Sequence, residues 1–569
     1  MSHFEDRRPR PDRGAAPRMS DYEATRQEYS VTAPERFNPV IDILAPWAAA
    51  EPDDLALVLI DPAEDKPSTL TAAELLALAE RAAVFLLAEG IKKGDRVLVM
   101  LPRVTAWYAV VLGAIRIGAV PMPAPTQLTA KDIAYRIRRA EATAVATDAA
   151  GAAKVDESGA AAQLARFCAG AESSAAPAGW IDFEAGLGRA SAVGLPDDPT
   201  SGEDPMLLYF TSGTVSLPKV VVHATSYALG HIATARFWHD LRPGDWHWTV
   251  SDMGWAKAAW GALFGQWHER ATVVQVDMAR PTADAVLGIL AERRISSFCA
   301  PPTLYRSLIL ADLSSYDLSA LRHCSSAGEP LNPEAIRVWE QGTGGLVIHD
   351  GYGQTETTAL VANFPALPVR PGSMGKPVPG YEVDVVDDSG RPCPHGEVGS
   401  IAVRIAERRP VGLFMGYEND SEATAQAFHD GWYFTGDKAR RDEDGYFWFE
   451  ARGDDVITSS AYRIGPFEVE STLVEHPAVA EAAVVGKDDP KRTQIVCAFV
   501  LLTPGSEPSP ELTVELQEHV KRVTAPYKYP REVHYVDELP KTISGKIRRS
   551  ELRQWLRGEM PAGVEQANA

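Results

Sequence analysis

Short runs of β-branched residues alternate with helical segments along most of this chain, up to about residue 380. A strand–helix–strand alternation is typical of parallel sheets, because each helix carries the chain back to the edge at which the next parallel strand begins. Six runs are predicted to be buried strands: Arg96–Met100, Thr143–Thr147, Val220–His223, Thr272–Val276, Phe298–Pro301 and Leu346–His349. The chain is therefore predicted to be an α/β protein built on a largely parallel sheet.

One helix can be located from its capping residues. Thr71 and Glu74 have the spacing of a capping box, in which each side chain accepts a hydrogen bond from a backbone amide near the other residue. An apolar stripe with helical spacing follows, and Gly90 suits the position at which a helix ends. The pattern predicts an amphipathic helix between Thr71 and Gly90.

A chain of 569 residues is longer than one hydrophobic core usually organises, so several domains are expected. Short strands and turns begin near residue 380, and a compact α+β segment follows Arg452. The first residues are rich in Arg and Pro and have no apolar core behind them. We therefore predict a disordered tail at 1–34, a large domain at 35–453 with flanking helices and a small β-rich subdomain, and a small α+β domain at 454–569.

Charge and cysteine usage exclude several classes of protein. The net charge of −21 argues against a nucleic-acid or membrane-surface protein. The most apolar stretch, Trp107–Pro125, is interrupted by Arg116 and prolines, which argues against a membrane span. The five cysteines are Cys168, Cys299, Cys324, Cys393 and Cys497. Because they are scattered and never spaced as CxxC, neither a disulfide framework nor a structural zinc site is predicted, and a reduced cytoplasmic setting is expected.

The first motif with chemical content is Tyr209–Lys219, an apolar run that leads into a loop of Thr, Ser and Gly and ends at a lysine. Small side chains, hydroxyl donors, exposed amides and one cation suit a polyphosphate. A polar loop between two strands has the same composition, so this motif alone leaves both interpretations open. The Walker pattern GxxxxGK[ST] is absent from it, which argues against a P-loop kinase or ATPase.

The second motif is His349–Thr357, in which two glycines flank Tyr352 and would let the backbone approach a flat ligand. Glu356 offers a hard oxygen ligand for Mg²⁺ on phosphates. Alternatively, Tyr352 is a core aromatic residue and Glu356 stands at a helix start. The two motifs together favour a nucleotide site.

Two further clusters follow. In the first, Asp437 could accept hydrogen bonds from ribose hydroxyls and Arg452 could pair with phosphate or ribose, whereas Asp442–Gly445 is predicted to be a hairpin turn. The second is Pro540–Lys546, near the end of the sequence. A lysine in such a loop, taken alone, is more often a solvated surface residue than a catalyst.

Five motifs together, in this order and spacing, resemble the adenylate-forming superfamily: Thr211–Lys219, Asp350–Glu356, Tyr433–Asp437, Arg452–Ile457 and Pro540–Lys546. That superfamily contains acyl-CoA synthetases, peptide-synthetase adenylation domains and luciferases, and the resemblance extends from about residue 35 to 557. Further segments resemble its medium-chain, butyrate–CoA ligase-like acyl-CoA synthetases: Leu101–Val104, Thr126–Gln127, Asp132–Arg136, Ser251–Trp255, Ser459–Pro466 and Ala525–Arg531.

The resemblance implies an enzyme that uses ATP and Mg²⁺ to convert a short- or medium-chain or aromatic carboxylic acid to an acyl-adenylate, and then transfers the acyl group to coenzyme A. It implies a small C-terminal domain that is mobile about a hinge at Asp454. It also implies three catalytic residues, Lys546, Glu356 and Thr214, with Glu356 on the metal.

The resemblance implies binding residues as well. Those for ATP and AMP are Thr211, Ser212, Gly213, Thr214, Val215, Ser216, Leu217, Pro218, Lys219, Gly328, Glu329, Pro330, Asp350, Gly351, Tyr352, Gly353, Gln354, Thr355, Asp437, Arg452 and Lys546. Those for coenzyme A are Gln127, Ser460, Ala461, Tyr462, Arg492, Lys521, Tyr529, Pro530 and Arg531. Those for the acyl group are Gly254, Trp255, Gly353 and Arg463.

The chain departs from the family pattern at a few positions. Val215 and Ser216 replace a hydroxyl residue and a glycine of the phosphate loop, Ala461 replaces a glycine beside the pantetheine tunnel, and Ala451 replaces a frequent glycine. Because no charged catalytic group is lost, adenylation is expected to be intact, and Ala461 places the CoA step in question. Two alternatives therefore stay open: an adenylating enzyme that passes the acyl group to a carrier protein, and a non-catalytic nucleotide-binding relative.

The segment Pro540–Lys546 also resembles the site at which bacterial acyl-CoA synthetases are acetylated. It predicts a protein acetyltransferase as a partner, because acetylation would remove the charge of Lys546 and stop adenylation. The sequence leaves a homo-oligomer open as well.

Overall fold

The largest sheet has nine strands, and its six central strands run parallel. In spatial order the strands are Lys376–Pro377, Ala359–Ala362, Ile348–Gly353, His323–Ala327, Ser297–Ala300, Trp246–Thr249, Thr272–Val276, Leu55–Ile60 and Ser68–Thr71. The central strands are the near-continuous apolar runs that a sheet covered by helices requires. The computed structural model to which these bounds refer describes residues 13–64, 66–170, 176–191, 194–197, 199–211, 217–278, 281–453, 455–459, 462–542, 546–559 and 565–567.

A second, all-parallel sheet has the order Val120–Pro123, Arg96–Met100, Ala144–Thr147, Ala165–Cys168 and Ile181–Asp182. A three-stranded antiparallel sheet contains Gly416–Tyr417, Val220–Ala224 and Pro205–Phe210. The β-rich subdomain is a five-stranded antiparallel sheet of Val383–Val386, Val398–Arg404, Trp432–Arg441 and Phe428–His429, with Phe447–Arg452 paired to Trp432–Arg441. The predicted α/β class and the β-rich subdomain are thus confirmed.

The strands after residue 454 form a sheet of their own. Its order is Tyr462–Ile464, Ile457–Ser459, Thr493–Leu502, Glu532–Tyr535 and Glu565–Ala567, and Val479–Asp489 pairs with Thr493–Leu502. The helices Pro466–Val474 and Pro510–Val523 pack on one face of it around a core that includes Val469, Leu473 and Leu516. The helix Arg549–Gln554 and the following π-helical turn Trp555–Glu559 contribute Leu552 and Trp555 to a second small core.

The remaining helices belong to the part of the chain before residue 454. The α-helices are Tyr22–Glu28, Ala45–Ala50, Ala72–Ala88, Thr105–Arg116, Ala130–Arg139, Ala149–Ser158, Phe183–Arg189, Tyr227–Ala233, Ala256–Gly261, Phe264–His268, Ala283–Glu292, Pro302–Leu308, Pro333–Gly342 and Ser421–Ala427. Val40–Leu44 and Thr234–Trp238 are π-helical turns, and Leu313–Ser315 and Pro526–Lys528 are 3₁₀ turns, the last of these in the C-terminal part. None of the helices that the structure describes has the length and apolarity to cross a bilayer.

The predicted capping box is present. Thr71 accepts from the amide of Glu74, Glu74 accepts from the amide of Thr71 at 2.9 Å, and the helix Ala72–Ala88 follows. Gly90 lies just beyond its end with φ of +87°, a left-handed conformation that favours glycine.

The sequence predicted a disordered tail through residue 34, and this is wrong for residues 13–34. Asp21 caps the helix Tyr22–Glu28, and the Tyr22 ring is buried, with its hydroxyl donating to the Pro377 carbonyl at 2.8 Å. The Arg13 guanidinium donates to backbone carbonyls of the large domain, including those of Leu321 and Thr343. The high arginine content of this segment did not indicate disorder, because these cations bind carbonyls and carboxylates of the large domain.

Five of the six predicted strands begin and end within one residue of the prediction. The sixth, predicted as Leu346–His349, is Ile348–Gly353. It continues through two glycines because it is paired on both sides, with His323–Ala327 and with Ala359–Ala362.

Candidate active site

A cavity of about 570 Å³ lies at the C-terminal end of the strand Ile348–Gly353. Ligands of open parallel α/β sheets bind at the carboxyl ends of the strands, which is where this cavity lies. Its wall includes Gly328–Pro330 and Asp350–Glu356 from the large sheet, Asp437 and Arg452 from the β-rich subdomain, and Lys546 from the C-terminal part. Four motifs that are far apart in the sequence thus meet in one place.

The two glycines around Tyr352 have a reason that the sequence did not reveal. A Cβ on Gly351 would lie 2.5 Å from the Trp238 ring, and a Cβ on Gly353 would lie 2.5 Å from the Trp260 ring. The flat groups that the backbone approaches on that side are therefore tryptophans of the protein. Gly351 and Gly353 also line the cavity, so the expected approach of a ligand to this backbone stays a prediction.

Asp437 is the acceptor at the centre of a hydrogen-bonded cluster in the cavity wall. Its Oδ2 accepts from the Tyr352 hydroxyl at 2.6 Å and from Gln354 Nε2 at 2.7 Å. The Tyr433 hydroxyl donates to Gln354 Oε1 at 2.8 Å, which fixes the amide orientation. Burial raises the pKa of Asp437, although Arg452 acts in the opposite direction. The cluster holds this carboxylate in one position beside the cavity.

Arg452 reaches the same point because of the hairpin between two strands of the subdomain. Asp437 and Arg452 are paired residues of Trp432–Arg441 and Phe447–Arg452, and the predicted turn at Asp442–Gly445 lies between these strands. Arg452 Nε lies 4.0 Å from Asp437 Oδ1. The Arg452 side chain is about half exposed, and a guanidinium can donate hydrogen bonds to an anionic or hydroxylated ligand.

Glu356 is another carboxylate in the cavity wall. Its Oε1 accepts from the Tyr417 hydroxyl at 2.8 Å, and the Lys219 ammonium lies 4.6 Å from the centre of the Tyr417 ring. Burial raises the pKa of Glu356, while the hydrogen bond from Tyr417 acts to lower it. A desolvated carboxylate of this kind is stabilised as an anion by a nearby cation.

The ends of the phosphate-loop motif are fixed on a hairpin beside Glu356. The amide of Thr211 donates to the Lys219 carbonyl at 2.9 Å, and the amide of Lys219 donates to Thr211 Oγ1 at 3.0 Å. The Pro218 carbonyl accepts from the Tyr135 hydroxyl at 2.8 Å, and the Leu217 side chain is exposed. The predicted binding residues Ser212, Gly213, Thr214, Val215 and Ser216 lie outside the described residues.

Lys546 enters the cavity from the C-terminal part of the chain. A turn holds its backbone, since the Thr542 amide donates to the Lys546 carbonyl at 2.7 Å and the Lys546 amide donates to Thr542 Oγ1 at 3.1 Å. Burial and the nearby Arg452 lower the pKa of Lys546, whereas Glu329, Asp437 and Glu356 raise it. The three carboxylates therefore stabilise the charged form of Lys546.

A second contact joins the two parts of the chain at the rim. Arg306 Nη2 lies 3.5 Å from Glu329 Oε2 of the large domain and 3.6 Å from Glu481 Oε1 of the C-terminal part. Lys541 Nζ also contacts Glu481 Oε2, at 2.7 Å. These side chains contribute to the contacts between the two parts of the chain in the orientation that brings Lys546 into the cavity.

The predicted coenzyme A residues are not brought to this cavity. Tyr529 lies between two cations, because Lys521 Nζ is 4.2 Å and Arg531 Cζ is 4.8 Å from the centre of its ring. In the sequence, Tyr529 follows Lys528 and precedes Pro530, which is buried. Tyr462 is half exposed and stacks on Tyr527, and Arg492 lies in the exposed turn before Thr493–Leu502. Gln127 is exposed on the large domain. Ser460, Ala461 and the predicted hinge Asp454 lie outside the described residues.

The predicted acyl residues are only partly brought together. Gly353 lines the cavity, whereas Gly254 and Trp255 are not among its lining residues. A Cβ on Gly254 would lie 2.1 Å from the Pro125 amide nitrogen, so close backbone packing requires this glycine. Arg463 belongs to the strand Tyr462–Ile464, and its side chain is outside the described part of the structure.

Sequence reasoning missed Arg306 and Glu481, which line the cavity, and Lys257, which lies behind the lining residues. The partly buried Lys257 side chain donates to the Ala327 carbonyl at 2.8 Å, and desolvation lowers its pKa. A single charge in the apolar run Trp255–Gly261 was the signal that could have identified it. Arg306 and Glu481 gave no local signal, because their partners lie far away along the chain.

Two family models match this chain. The AMP-binding enzyme model matches residues 44–418, and the AMP-binding enzyme C-terminal domain model matches residues 468–546. The mitochondrial acyl-coenzyme A synthetase ACSM3 of Mus musculus is 42% identical over 551 residues, which cover 94% of this chain and 93% of that relative.

Solved structures agree with these matches. The crystal structure of an acyl-CoA synthetase of Brucella canis has a TM-score of 0.73 at 36% identity, covering 95% of this chain and 100% of that one. The anthranilate CoA ligase AuaEII, solved in complex with anthranoyl-AMP, has a TM-score of 0.84 at 30% identity, covering 92% of this chain and 98% of that one.

Proposed function

The chain belongs to the AMP-binding enzyme family and is an ATP-dependent acyl-coenzyme A synthetase, and we propose that the cavity at Lys546 is where its acid is adenylated. The observation that carries this proposal is the meeting of Lys546 with Glu356, Asp437 and Arg452 around one cavity. Asp437 would accept hydrogen bonds from the ribose, Arg452 would hold ribose or phosphate, and Thr211–Lys219 would surround the phosphates.

Lys546 would supply the charge that the first step requires. A carboxylate attacks a phosphate poorly, because both are anions and the α-phosphate gains charge in the transition state. A fixed cation next to both groups offsets that charge without the reorganisation that water would need. Loss of one such group typically costs about 3 kcal/mol of transition-state stabilisation. No protein nucleophile is needed in this step.

The residues fit Mg²⁺ that arrives with ATP. Glu356 offers a hard carboxylate oxygen in the cavity wall, and the burial that raises its pKa makes a nearby cation favourable. Such an ion, when bound, neutralises charge on the phosphates. Tyr417 would hold the Glu356 carboxylate in position through its 2.8 Å hydrogen bond.

Transfer to coenzyme A would follow a rotation of the C-terminal domain about Asp454. Arg531, Lys521 and Tyr529 form a cationic and aromatic cluster that suits the nucleotide phosphates of coenzyme A, and this cluster lies away from the cavity in the described orientation. Rotation would remove Lys546 after adenylation and bring this face towards the acyl-adenylate. Domain steps of this kind gate many enzymes.

The acid is proposed to be short, of medium chain, or aromatic. Gly353 lines the cavity, and the Trp260 ring lies directly behind its backbone, so the space beyond the strand is closed by an indole. A bounded space of this kind favours compact acids.

The test is acid-dependent AMP release with and without coenzyme A, for straight-chain acids from acetate to dodecanoate, benzoate and phenylacetate. We expect acyl-CoA and AMP in equal amounts for one class of acid. Pyrophosphate exchange without thioester for every acid would contradict the proposed CoA step, and a preference for the longest acids would contradict the compact pocket.

We also propose that acetylation of Lys546 switches the enzyme off, since neutralising this ammonium removes the cation from the cavity. Protein carrying acetyl-lysine at position 546 should lose pyrophosphate exchange and still convert supplied acyl-adenylate to thioester. Unchanged exchange would contradict this.

A reducing compartment, such as the cytoplasm, is proposed for the chain, and the five cysteines support it because all are free and buried. Fractionation of cells that express the untagged protein tests the location. Recovery from an oxidising compartment would contradict it.

A further inference from the structure

Three side chains of the types that bind transition metals lie together on the C-terminal sheet, away from the active site. They are Cys497, Glu532 and His534, and their ligand atoms all lie within 4.8 Å of one another. Parallel pairing produces this cluster, because Cys497 is opposite Glu532 and Phe499 is opposite His534 on the strands Thr493–Leu502 and Glu532–Tyr535. Residues two apart on a strand share a face of the sheet.

His534 is the member that most needs a partner. Its side chain is 1% exposed, and neither ring nitrogen has a hydrogen-bond partner in the described structure. One ring face stacks on Phe499 at a centroid distance of 4.9 Å, and Nε2 lies 3.5 Å from Glu532 Oε2. A buried polar group without a hydrogen-bond partner costs free energy. A ligand at Nε2 of His534 would therefore be favourable.

Glu532 already holds a cation. Both of its carboxylate oxygens accept from Lys487 Nζ at 2.8 Å. The Lys487 side chain is one-third exposed and that of Glu532 is 19% exposed, so this side of the cluster reaches the solvent. A metal ion could enter there and replace the ammonium as the counter-charge.

We propose that Cys497, Glu532 and His534 form a site for one thiophilic divalent cation, with Zn²⁺ as the ion that best suits a sulfur, nitrogen and oxygen donor set. Zinc takes such donors at about 2.0–2.3 Å in a tetrahedron, which sets neighbouring ligand atoms about 3.5 Å apart, so contraction by about 1 Å would close the site. A water would be the fourth ligand.

On binding, the Cys497 thiol loses its proton to solvent and forms the metal–sulfur bond, and His534 binds through a neutral ring nitrogen. The Glu532 carboxylate releases the Lys487 ammonium and binds the metal instead. The Lys487 side chain then rotates into the solvent. The bound ion would join the strand Thr493–Leu502 to Glu532–Tyr535.

The site differs from the nucleotide cavity in place and in chemistry. None of its three residues lines that cavity, and its sulfur and imidazole donors favour zinc over the magnesium that accompanies ATP. Sequence spacing gave no indication of it, because Cys497 and His534 are brought together by the pairing of two strands.

The test uses the full chain with cobalt(II) alone as a spectroscopic substitute for zinc. We expect one cobalt ion per chain with a thiolate-to-cobalt charge-transfer band in the near ultraviolet, displaced by zinc, and a higher Tm when zinc is present. Cys497→Ser should abolish the band. His534→Asn should weaken binding by at least about 100-fold, since loss of even an outer-shell partner commonly costs 10–100-fold.

Cys393→Ser is the matched control, because Cys393 is a free cysteine of the large domain with somewhat higher exposure. It should keep the band and the affinity. The proposal is overturned if the wild-type protein gives no band, if Cys497→Ser keeps it, or if Cys393→Ser loses it. Should Cys497→Ser fail to fold, unchanged cobalt affinity in folded His534→Asn would overturn it equally.

Discussion

Asp437 combines a cost in stability with a proposed role in binding ATP. Its carboxylate is buried and accepts from Tyr352 and Gln354, and its pKa is raised by burial. A carboxyl group whose pKa is higher in the folded protein stabilises the fold below its unfolded pKa, and this contribution is lost as the pH rises through the folded pKa. At neutral pH the ionised Asp437 therefore lowers the free energy of unfolding.

Asp437→Asn should separate these two effects. An asparagine oxygen can still accept from Tyr352 and Gln354, and the buried charge is gone, so the free energy of unfolding at neutral pH should be at least that of the wild type. This gain should shrink as the pH falls towards the unfolded pKa of about 3.9. Because hydrogen bonds to a charged group contribute about 1.5–3 kcal/mol, KM for ATP should rise about 10- to 100-fold.

Denaturant unfolding between neutral and acidic pH, together with ATP kinetics, measures both effects. Asp387→Asn is the control of opposite sign, because a backbone hydrogen bond from Arg391 and other contacts lower the pKa of this exposed turn carboxyl. Its loss should lower stability at neutral pH and leave KM for ATP unchanged. A loss of stability in Asp437→Asn at neutral pH would contradict the account.

The strand Ile348–Gly353 shows how an element positions the site through its back face. Its glycines let Trp238 and Trp260 lie against the backbone, while its other side forms the cavity wall. Both indoles are buried, and their ring centres are 6.3 Å apart. The position of this strand, and so the depth of the pocket beside it, depends on the volume of these rings.

Trp260→Leu should therefore change the preference for acids. Removing ring volume behind Gly353 should raise kcat/KM for octanoate relative to butyrate by at least about tenfold, since one methylene in an apolar pocket changes discrimination by about 1–3 kcal/mol. The free energy of unfolding should fall by about 2–5 kcal/mol, as for other large-to-small core changes.

Trp339→Leu is the matched control, because Trp339 is a fully buried tryptophan in a different core cluster and does not lie against the glycines of the strand Ile348–Gly353. It should lose comparable stability and keep the wild-type preference for acids. Equal preference in both variants would show that Trp260 does not bound the acyl pocket.

One of the contacts between the two domains is a cluster of charged side chains at the rim. Arg306 lies between Glu329 and Glu481, and these three side chains are between 13% and 20% exposed. Partly exposed ion pairs of this kind contribute about 1 kcal/mol or less each. A contribution of that size can bias a two-state orientation without locking it.

Arg306→Ala should therefore lower pyrophosphate exchange about 3- to 10-fold and leave thioester formation from supplied acyl-adenylate unchanged, because about 1 kcal/mol shifts an equilibrium roughly fivefold. Charge exchange in the double variant Arg306→Glu, Glu481→Arg should restore part of the exchange rate. Arg337→Ala, which removes an exposed ion pair with Glu334, is the control. Equal loss in both half-reactions would place Arg306 in the chemistry and not in the orientation.

Much of this architecture could be predicted because its signals are local. The capping box at Thr71, the strand Thr272–Val276 and the turn at Asp442–Gly445 depend on residues within a few positions of each other. The family membership was predictable for a related reason, since each motif is a contiguous segment, and the predicted resemblance to acyl-CoA synthetases is confirmed.

The rest depends on contacts between distant residues, which spacing does not record. Arg306 and Glu481 become part of the site only when separate domains meet, and the ordering of residues 13–34 depends in part on carbonyls more than 300 positions away. The glycine pattern around Tyr352 predicted close backbone approach, and on one side of the strand the neighbours are tryptophans. The roles of the individual site residues stay predictions.

The most direct test of the proposed site is a comparison of both half-reactions in Lys546→Ala. With this cation removed, acid-dependent pyrophosphate exchange should fall about 100- to 1,000-fold, the usual effect of losing one preorganised group that stabilises transition-state charge. Conversion of supplied acyl-adenylate and coenzyme A to thioester should stay near the wild-type rate. Arg548→Ala, which removes a half-exposed cation two residues away that does not line the cavity, should leave both rates unchanged. Normal exchange in Lys546→Ala, or an equal loss in both half-reactions, would contradict the account.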